Sequence, residues 1–259
     1  MKDRLRVALI QMDISPGDWE VNCTTARKYL ESCSNLKADL VVLPEMWNTG
    51  FVWHENFRQL ASRVFRRTLD LLAKWAERYR LFILAGSIAE VTPLGVFNTA
   101  YFANPAGEVV RAYRKRNLFH LTGEEKIFLP GDEEATPLET PWGKAGVLIC
   151  FDLRFPMDFQ NLRKKGARLI ILPAQFPNPR EQHWLTLLQA RAIDTQCFVL
   201  GCNRVGADSP ATSYFGSSCI VSPWGEVLLQ GRTRETLVAT ELDLSLVERT
   251  RRELPFWRE

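Results

Sequence analysis

Ala100-Tyr101-Phe102-Ala103-Asn104-Pro105-Ala106-Gly107-Glu108-Val109-Val110 is echoed later in the chain by Ser218-Cys219-Ile220-Val221-Ser222-Pro223-Trp224-Gly225-Glu226-Val227-Leu228. Each stretch reads as a strand, a Pro-x-Gly turn and a returning strand, the pattern of a β-hairpin. Each also follows three short apolar runs. Residues 7–10, 40–43 and 81–85 precede the first hairpin; residues 145–149, 169–172 and 198–200 precede the second. Runs of this length, apolar on both faces and ended by Pro, Gly or polar residues, suit buried strands of a parallel sheet. Between them lie amphipathic stretches of helical length at 19–35, 62–79, 156–165 and 181–196. In the second of these, Val64, Leu69, Leu72, Trp75 and Ala76 form a stripe opposite Arg66, Arg67, Lys74 and Glu77. Asp18 and Ser62 are the expected helix N-caps. Two similar halves, each with parallel βα units and an antiparallel hairpin, predict an α/β fold. Its expected form is a four-layer α-β-β-α sandwich of two mixed sheets. A closed eight-stranded βα barrel fits less well, because the hairpins break strict alternation.

The 259 residues are 46% hydrophobic and 24% charged, ordinary globular composition that excludes disordered and low-complexity classes. No linker-like segment divides them, so one domain over 1–259 is expected. Its C-terminal segment, about 246–259, reads either as an arm covering a partner or as a tail on its own subunit. Thirty-three basic against 30 acidic residues leave a net charge of +3 without long runs, which argues against a nucleic-acid partner. The N-terminal apolar run is too short for a signal peptide, and no run approaches the roughly 20 residues of a membrane span. A cytoplasmic protein with no membrane partner is expected.

Six cysteines at 23, 33, 150, 197, 202 and 219 include no C-x-x-C pair, and six free thiols are expected. The histidines, His54, His120 and His183, lie more than five residues from any cysteine, so no metal site is expected.

Reactive residues follow buried strands at Leu43-Pro44-Glu45 and Ile149-Cys150-Phe151-Asp152-Leu153-Arg154-Phe155-Pro156; a third notable segment is Tyr113-Arg114-Lys115. The carboxyl ends of strands are where α/β sheets bind ligands. A carboxylate, an amine and a thiol together supply a proton shuttle, a cation for a developing oxyanion and a nucleophile. Singly, each has an ordinary explanation as a loop acid, a surface charge or a small core residue. No G-x-S-x-G and no motif pairing a histidine with Cys150 support a serine or papain-like hydrolase.

These segments, in this order, resemble the nitrilase superfamily of carbon–nitrogen hydrolases over nearly the whole chain. Apolar-Pro-Glu, Tyr-Arg-Lys and Cys-Phe-Asp-x-Arg-Phe-Pro match its three catalytic segments, and further matches are Gln189-Ala190-Arg191-Ala192, Asn203-Arg204-Val205-Gly206 and Gly216-Ser217-Ser218. The resemblance implies the same sandwich, a homodimer, no cofactor, and a small-molecule amide as substrate. It implies Glu45 as the base, Cys150 as the nucleophile, and Lys115 with the Phe151 N–H as oxyanion donors. Glu124, rather than Glu125, matches a second glutamate that orients Lys115 or the substrate. Asn117 departs from the pattern, since many members have His there.

The segment Glu45-Met46-Trp47-Asn48-Thr49-Gly50-Phe51 resembles that of the bacterial ω-amidase-like branch. The expected substrate is a short dicarboxylate with one terminal amide, such as α-ketoglutaramate or succinamate. Trp47, Phe51 and Trp53 either shape its pocket or pack in the core, and Arg154 either faces its free carboxylate or has the structural role of an arginine widespread at this position in the superfamily. Other activities of the superfamily (nitrilase, N-carbamoyl hydrolase, deaminated-glutathione amidase) and a non-catalytic binding protein on this fold are the alternatives.

Overall fold

A computed structural model describes residues 2–52 and 56–257. Its first half runs β1 (Arg4–Gln11), α1 (Trp19–Asn35), β2 (Leu40–Val42), α2 (Phe57–Tyr79), β3 (Phe82–Leu84), β4 (Ile88–Val91), β5 (Val96–Ala103) and β6 (Val109–Arg114). The second half runs β7 (Leu138–Thr140), β8 (Gly143–Val147), α3 (Pro156–Lys164), β9 (Leu169–Ala174), α4 (Glu181–Thr195) and β10 (Phe198–Asn203). A short hairpin, β11 (Val205–Ser209) and β12 (Thr212–Phe215), follows, then β13 (Cys219–Val221), β14 (Val227–Gln230), β15 (Thr236–Asp243) and α5 (Ser245–Glu253).

The repeat seen in the sequence is the architecture. In one sheet β1, β2 and β3 are parallel neighbours, and the β5–β6 hairpin adds antiparallel beside β3. In the other, β8, β9 and β10 are parallel neighbours, and the β13–β14 hairpin adds antiparallel beside β10. The chain then returns, and β15 pairs with β1 along eight residues.

Strand periodicity explains the four layers. On β1, Leu5, Val7 and Leu9 face the second sheet and share a core with Val147, Ile171 and Leu200. Ala8 and Ile10 point the other way, into a core with Ala26 and Leu30 of α1 and Leu72 and Trp75 of α2. Across the molecule, Phe159 of α3 and Trp184 and Leu188 of α4 cover the second sheet. Strands so covered need apolar residues on both faces, which is why they read as continuous runs.

The Asp18 side chain caps α1 by accepting the Val21 N–H at 3.0 Å. Ser62 does not cap α2: the helix begins at Phe57, and Phe57 and Ala61 extend its buried stripe by more than a turn. All six cysteines are buried free thiols. The C-terminal segment lies on its own chain. Gln196 donates to Leu254 O, Arg251 to Ala167 O, and the Trp257 indole to Asp194 O. Among the described residues no helix is long and apolar enough to cross a membrane.

Candidate active site

Glu45 leaves β2 through Leu43-Pro44, and the turn is braced from β3. Gly86 passes so close that a Cβ there would sit 1.8 Å from the Pro44 carbonyl oxygen, so no side chain fits. Next to it the Ser87 hydroxyl accepts the Met46 N–H at 3.0 Å. Met46 itself takes a left-handed backbone with φ 45°. The Glu45 carboxylate is fully buried and has donors on both oxygens. Oε1 accepts from Lys115 Nζ at 2.9 Å and Asn98 Nδ2 at 2.8 Å; Oε2 accepts from the Gln175 N–H at 2.9 Å.

Lys115 follows β6. Its ammonium also donates to Glu124 Oε1 at 2.9 Å and Oε2 at 2.8 Å. Asn98 Nδ2 spans the two acids, reaching Glu124 Oε1 at 3.0 Å, and Glu124 Oε2 accepts the Phe119 N–H at 2.7 Å. Burial opposes the charged form of Lys115. The Glu124 and Glu45 carboxylates outweigh it and hold its pKa well above the ordinary lysine value.

Cys150 opens a short 3-10 turn, Cys150–Arg154, just beyond β8. It too is left-handed, with φ 47°, a conformation that disfavours any residue with a Cβ. Asp152 ties the turn down: Oδ2 accepts the Ile149 N–H at 2.9 Å, and Oδ1 accepts Asn117 N and Nδ2 at 3.1 and 2.8 Å. Asn117 Nδ2 also reaches Asp158 at 3.1 Å, so the residue that departs from the family pattern bridges two aspartates. Burial raises the Cys150 pKa well above the thiol value, and the Glu45 charge raises it further, while Lys115 pulls it down. The sulfur therefore rests as a thiol, hydrogen-bonded to Glu45. The Phe151 N–H lies in the first turn of that 3-10 segment, where no intrahelical acceptor exists.

These groups share one cavity of about 280 Å³, lined by Glu45, Lys115, Glu124 and Cys150, with Phe51, Phe119, Leu121, Pro177, Thr212 and Tyr214 among its other walls. A base, a cation and a thiol brought together in a largely buried site are the parts of nucleophilic acyl transfer. The sequence model of the carbon-nitrogen hydrolase family matches residues 6–252. The chain is 37% identical to the 2-oxoglutaramate amidase of Bacillus subtilis (strain 168), over 96% of this chain and 95% of that protein. It is 30% identical to the omega-amidase NIT2 of Homo sapiens, over 98% and 94%. The chain belongs to the carbon–nitrogen hydrolase family. A superfamily member of known structure, XC1258 from Xanthomonas campestris, superposes with a TM-score of 0.89 at 29% identity, covering 98% of this chain and 96% of that one.

In this hydrolase the expected residues divide. Glu45, Lys115, Cys150, Glu124 and Phe51 meet at the cavity. Glu125 does not; it faces His120 at 3.4 Å. Trp47 is no pocket wall: it is fully buried on the helix side of the sheet, its ring 6.0 Å from that of Trp75. An indole next to a left-handed turn has more apolar surface to gain under α2 than in a cavity lined with charge. Arg154 is also outside the lining. Its guanidinium lies 6.0 Å and 5.7 Å from the Phe151 and Phe176 rings, with Nη2 3.2 Å from His183 Nδ1. Trp53 lies outside the described residues. Asn98 and Gln175 were not anticipated. Gln175 follows β9 directly, so the strand-end rule that finds Glu45 and Cys150 finds it as well. Asn98 sits inside β5, and its signal is a polar side chain in a wholly buried strand.

Proposed function

We propose that this hydrolase acts as an ω-amidase, releasing ammonia from the terminal amide of a short dicarboxylate through a thioester on Cys150. The observation that carries the reading is the convergence of Glu45, Lys115, Glu124 and Cys150 on one small cavity. The substrate class is supported by the names of the Bacillus subtilis and human relatives.

Glu45 takes the Cys150 proton as the sulfur attacks the amide carbon, and the carbonyl oxygen becomes an oxyanion held by Lys115 Nζ and the Phe151 N–H. Because the thiol is not ionised at rest, proton removal and attack are coupled. Glu45, now protonated, gives its proton to the departing ammonia. It then deprotonates the water that cleaves the thioester, which returns the acid product and the free thiol. Glu124, spanning Lys115 with both oxygens, keeps the ammonium charged and aimed. One domain over the whole chain carries this chemistry in a cytoplasmic homodimer. Exposed Phe155 and Met157 at the start of α3, and exposed Leu254 and Phe256 beyond α5, support the pairing. Light scattering at micromolar concentration tests it: a dimer mass supports it and a monomer mass refutes it.

The function itself is tested by ammonia release from succinamate, α-ketoglutaramate, butyramide and an N-carbamoyl amino acid. The highest kcat/KM is expected for the first two. A preference for butyramide or the carbamoyl compound overturns the ω-amidase reading.

A further inference from the structure

Glu45 and Cys150 stand at the ends of strands in different sheets, so the distance between them depends on how the two sheets are joined at the site. Asn98 in β5 and Lys115 beyond β6 belong, like Glu45, to the first half of the chain. Gln175 comes from the second sheet, directly after β9, the strand that pairs with β8 ahead of Cys150. It grips Glu45 twice. Its N–H donates to Oε2 at 2.9 Å, and its side-chain Nε2 donates to the Glu45 carbonyl oxygen at 2.8 Å. The second bond requires one orientation of the amide, because the flipped amide would set two oxygens face to face.

Arg204 fixes that amide. It directly follows β10, the next strand of the second sheet, and is fully buried. Its Nη1 donates to Gln175 Oε1 at 3.0 Å, which leaves Nε2 to face Glu45. Nη1 also donates to Asp208 at 2.6 Å, Nη2 to Asp13 at 3.0 Å and to the Ile14 carbonyl at 2.8 Å, and Nε to the Val205 carbonyl at 3.0 Å. Those bonds use all five N–H donors that a guanidinium has. Partners before β2, after β9 and after β10 therefore determine its place together. The same guanidinium lies 4.2 Å from the ring centre of Tyr214, a wall of the cavity. Burying a cation is a poor way to gain stability, since an apolar side chain of similar volume packs as well. What this one supplies is position.

We propose that Arg204 is a positioning residue for the hydrolysis: by fixing the Gln175 amide it holds Glu45, beyond one sheet, in register with the Cys150 sulfur beyond the other. The proposal rests on the reading of Glu45 as the base.

The test is a double-mutant cycle on kcat for ammonia release from succinamate and from butyramide. It compares wild type, Arg204→Lys, Gln175→Met and the double variant, with Glu45→Gln as the reference. Lysine keeps the charge but cannot reach five acceptors. Arg204→Lys is expected to lower kcat about 10- to 100-fold with either substrate, the scale of a displacement of about 1 Å. Gln175→Met should lose a similar amount. Because the two residues act in series, kcat of the double variant should lie within about 3-fold of Gln175→Met. Losses that multiply in the double variant overturn the proposal. So does a folded Arg204→Lys that raises KM and leaves kcat unchanged, which would reduce Arg204 to a backing for Tyr214. If Arg204→Lys does not fold by circular dichroism, Asp208→Asn takes its place in the cycle, since Asp208 shares Nη1 with Gln175. Its kcat loss should likewise vanish in the Gln175→Met background, and an equal loss in both backgrounds, or none in either, overturns the proposal. A Glu45→Gln enzyme with wild-type kcat overturns the base assignment and this proposal with it. A Glu45→Gln enzyme without turnover confines any failure of the cycle to Arg204.

Discussion

Glu45 and Cys150 each stand just beyond a parallel strand, one in each half of the molecule, yet they are held in opposite ways. Both follow a buried parallel strand, and both turns contain a left-handed residue. At the first turn that residue is Met46, and Glu45 beside it is fixed by donors from Lys115, Asn98 and Gln175. At the second turn it is Cys150 itself, whose sulfur has the Glu45 carboxylate as its bonded partner and is aimed by the backbone. In the proposed mechanism the base is held by its partners and the nucleophile by its own dihedral angles. A shuttling carboxylate needs fixed geometry in both protonation states, which bonded donors provide. A sulfur that must form and break a bond to carbon is better left without strong partners.

The most severe way to break this comparison is Cys150→Ala. It should lower kcat by at least about 10⁴-fold while the melting temperature stays within a few degrees, because only the sulfur's bond to Glu45 is lost and the donors to that carboxylate remain. A folded variant that still turns over would refute the nucleophile. Glu45→Gln keeps the shape but not the proton transfer, and a loss of about 10³-fold in kcat is expected. Unlike Cys150→Ala it should also change stability, since the amide presents N–H groups to Lys115, Asn98 or Gln175. A Glu45→Gln enzyme with wild-type melting and reduced turnover would show that those donors do not hold the base as described.

Asp152 sharpens the nucleophile side. Burial pushes its carboxyl up to about 6, against an ordinary value near 3.8. Between those limits the native state keeps a proton that the unfolded chain releases. Wild type should therefore lose stability relative to Asp152→Asn as pH rises from about 4 through 6, by at most about 3 kcal/mol, with no further change above. Urea unfolding of both proteins at several pH values measures this; the opposite slope would mean that the charged form is the better-held one. Smallest is Arg80→Gly. Arg80 has φ 53° at the end of α2, exposed and far from chemistry. Glycine there should raise stability by up to about 1 kcal/mol and leave kcat unchanged, which would separate left-handed residues kept for a site from those merely tolerated.

The sandwich was legible because its strands are apolar on both faces and its two halves repeat the same hairpin. Glu45 and Cys150 were legible as polar interruptions at strand ends, whereas Lys115 and Glu124 took their meaning from the family pattern. Trp47 misled because adjacency in sequence says nothing about which side of a sheet a side chain leaves after a left-handed turn. For Arg154 the sequence left a structural and a substrate-facing role open, because a guanidinium reaches far enough for neighbouring aromatic rings to decide where it rests. Asn98 was hidden by composition: one polar residue within Val96-Phe97-Asn98-Thr99-Ala100 does not disturb a strand pattern, and its partners lie far along the chain.

The small size of the cavity bears on what this thiol is protected from. At about 280 Å³ the chamber is at the lower edge of what drug-sized molecules fill, and Cys150 is only 7% exposed. An extended polypeptide needs an open trough on both sides of the bond to be cut, and here the walls close over the sulfur. A cysteine held in so small a chamber is suited to small molecules and not to an extended protein chain. The same walls keep other proteins' disulfides from exchanging with it.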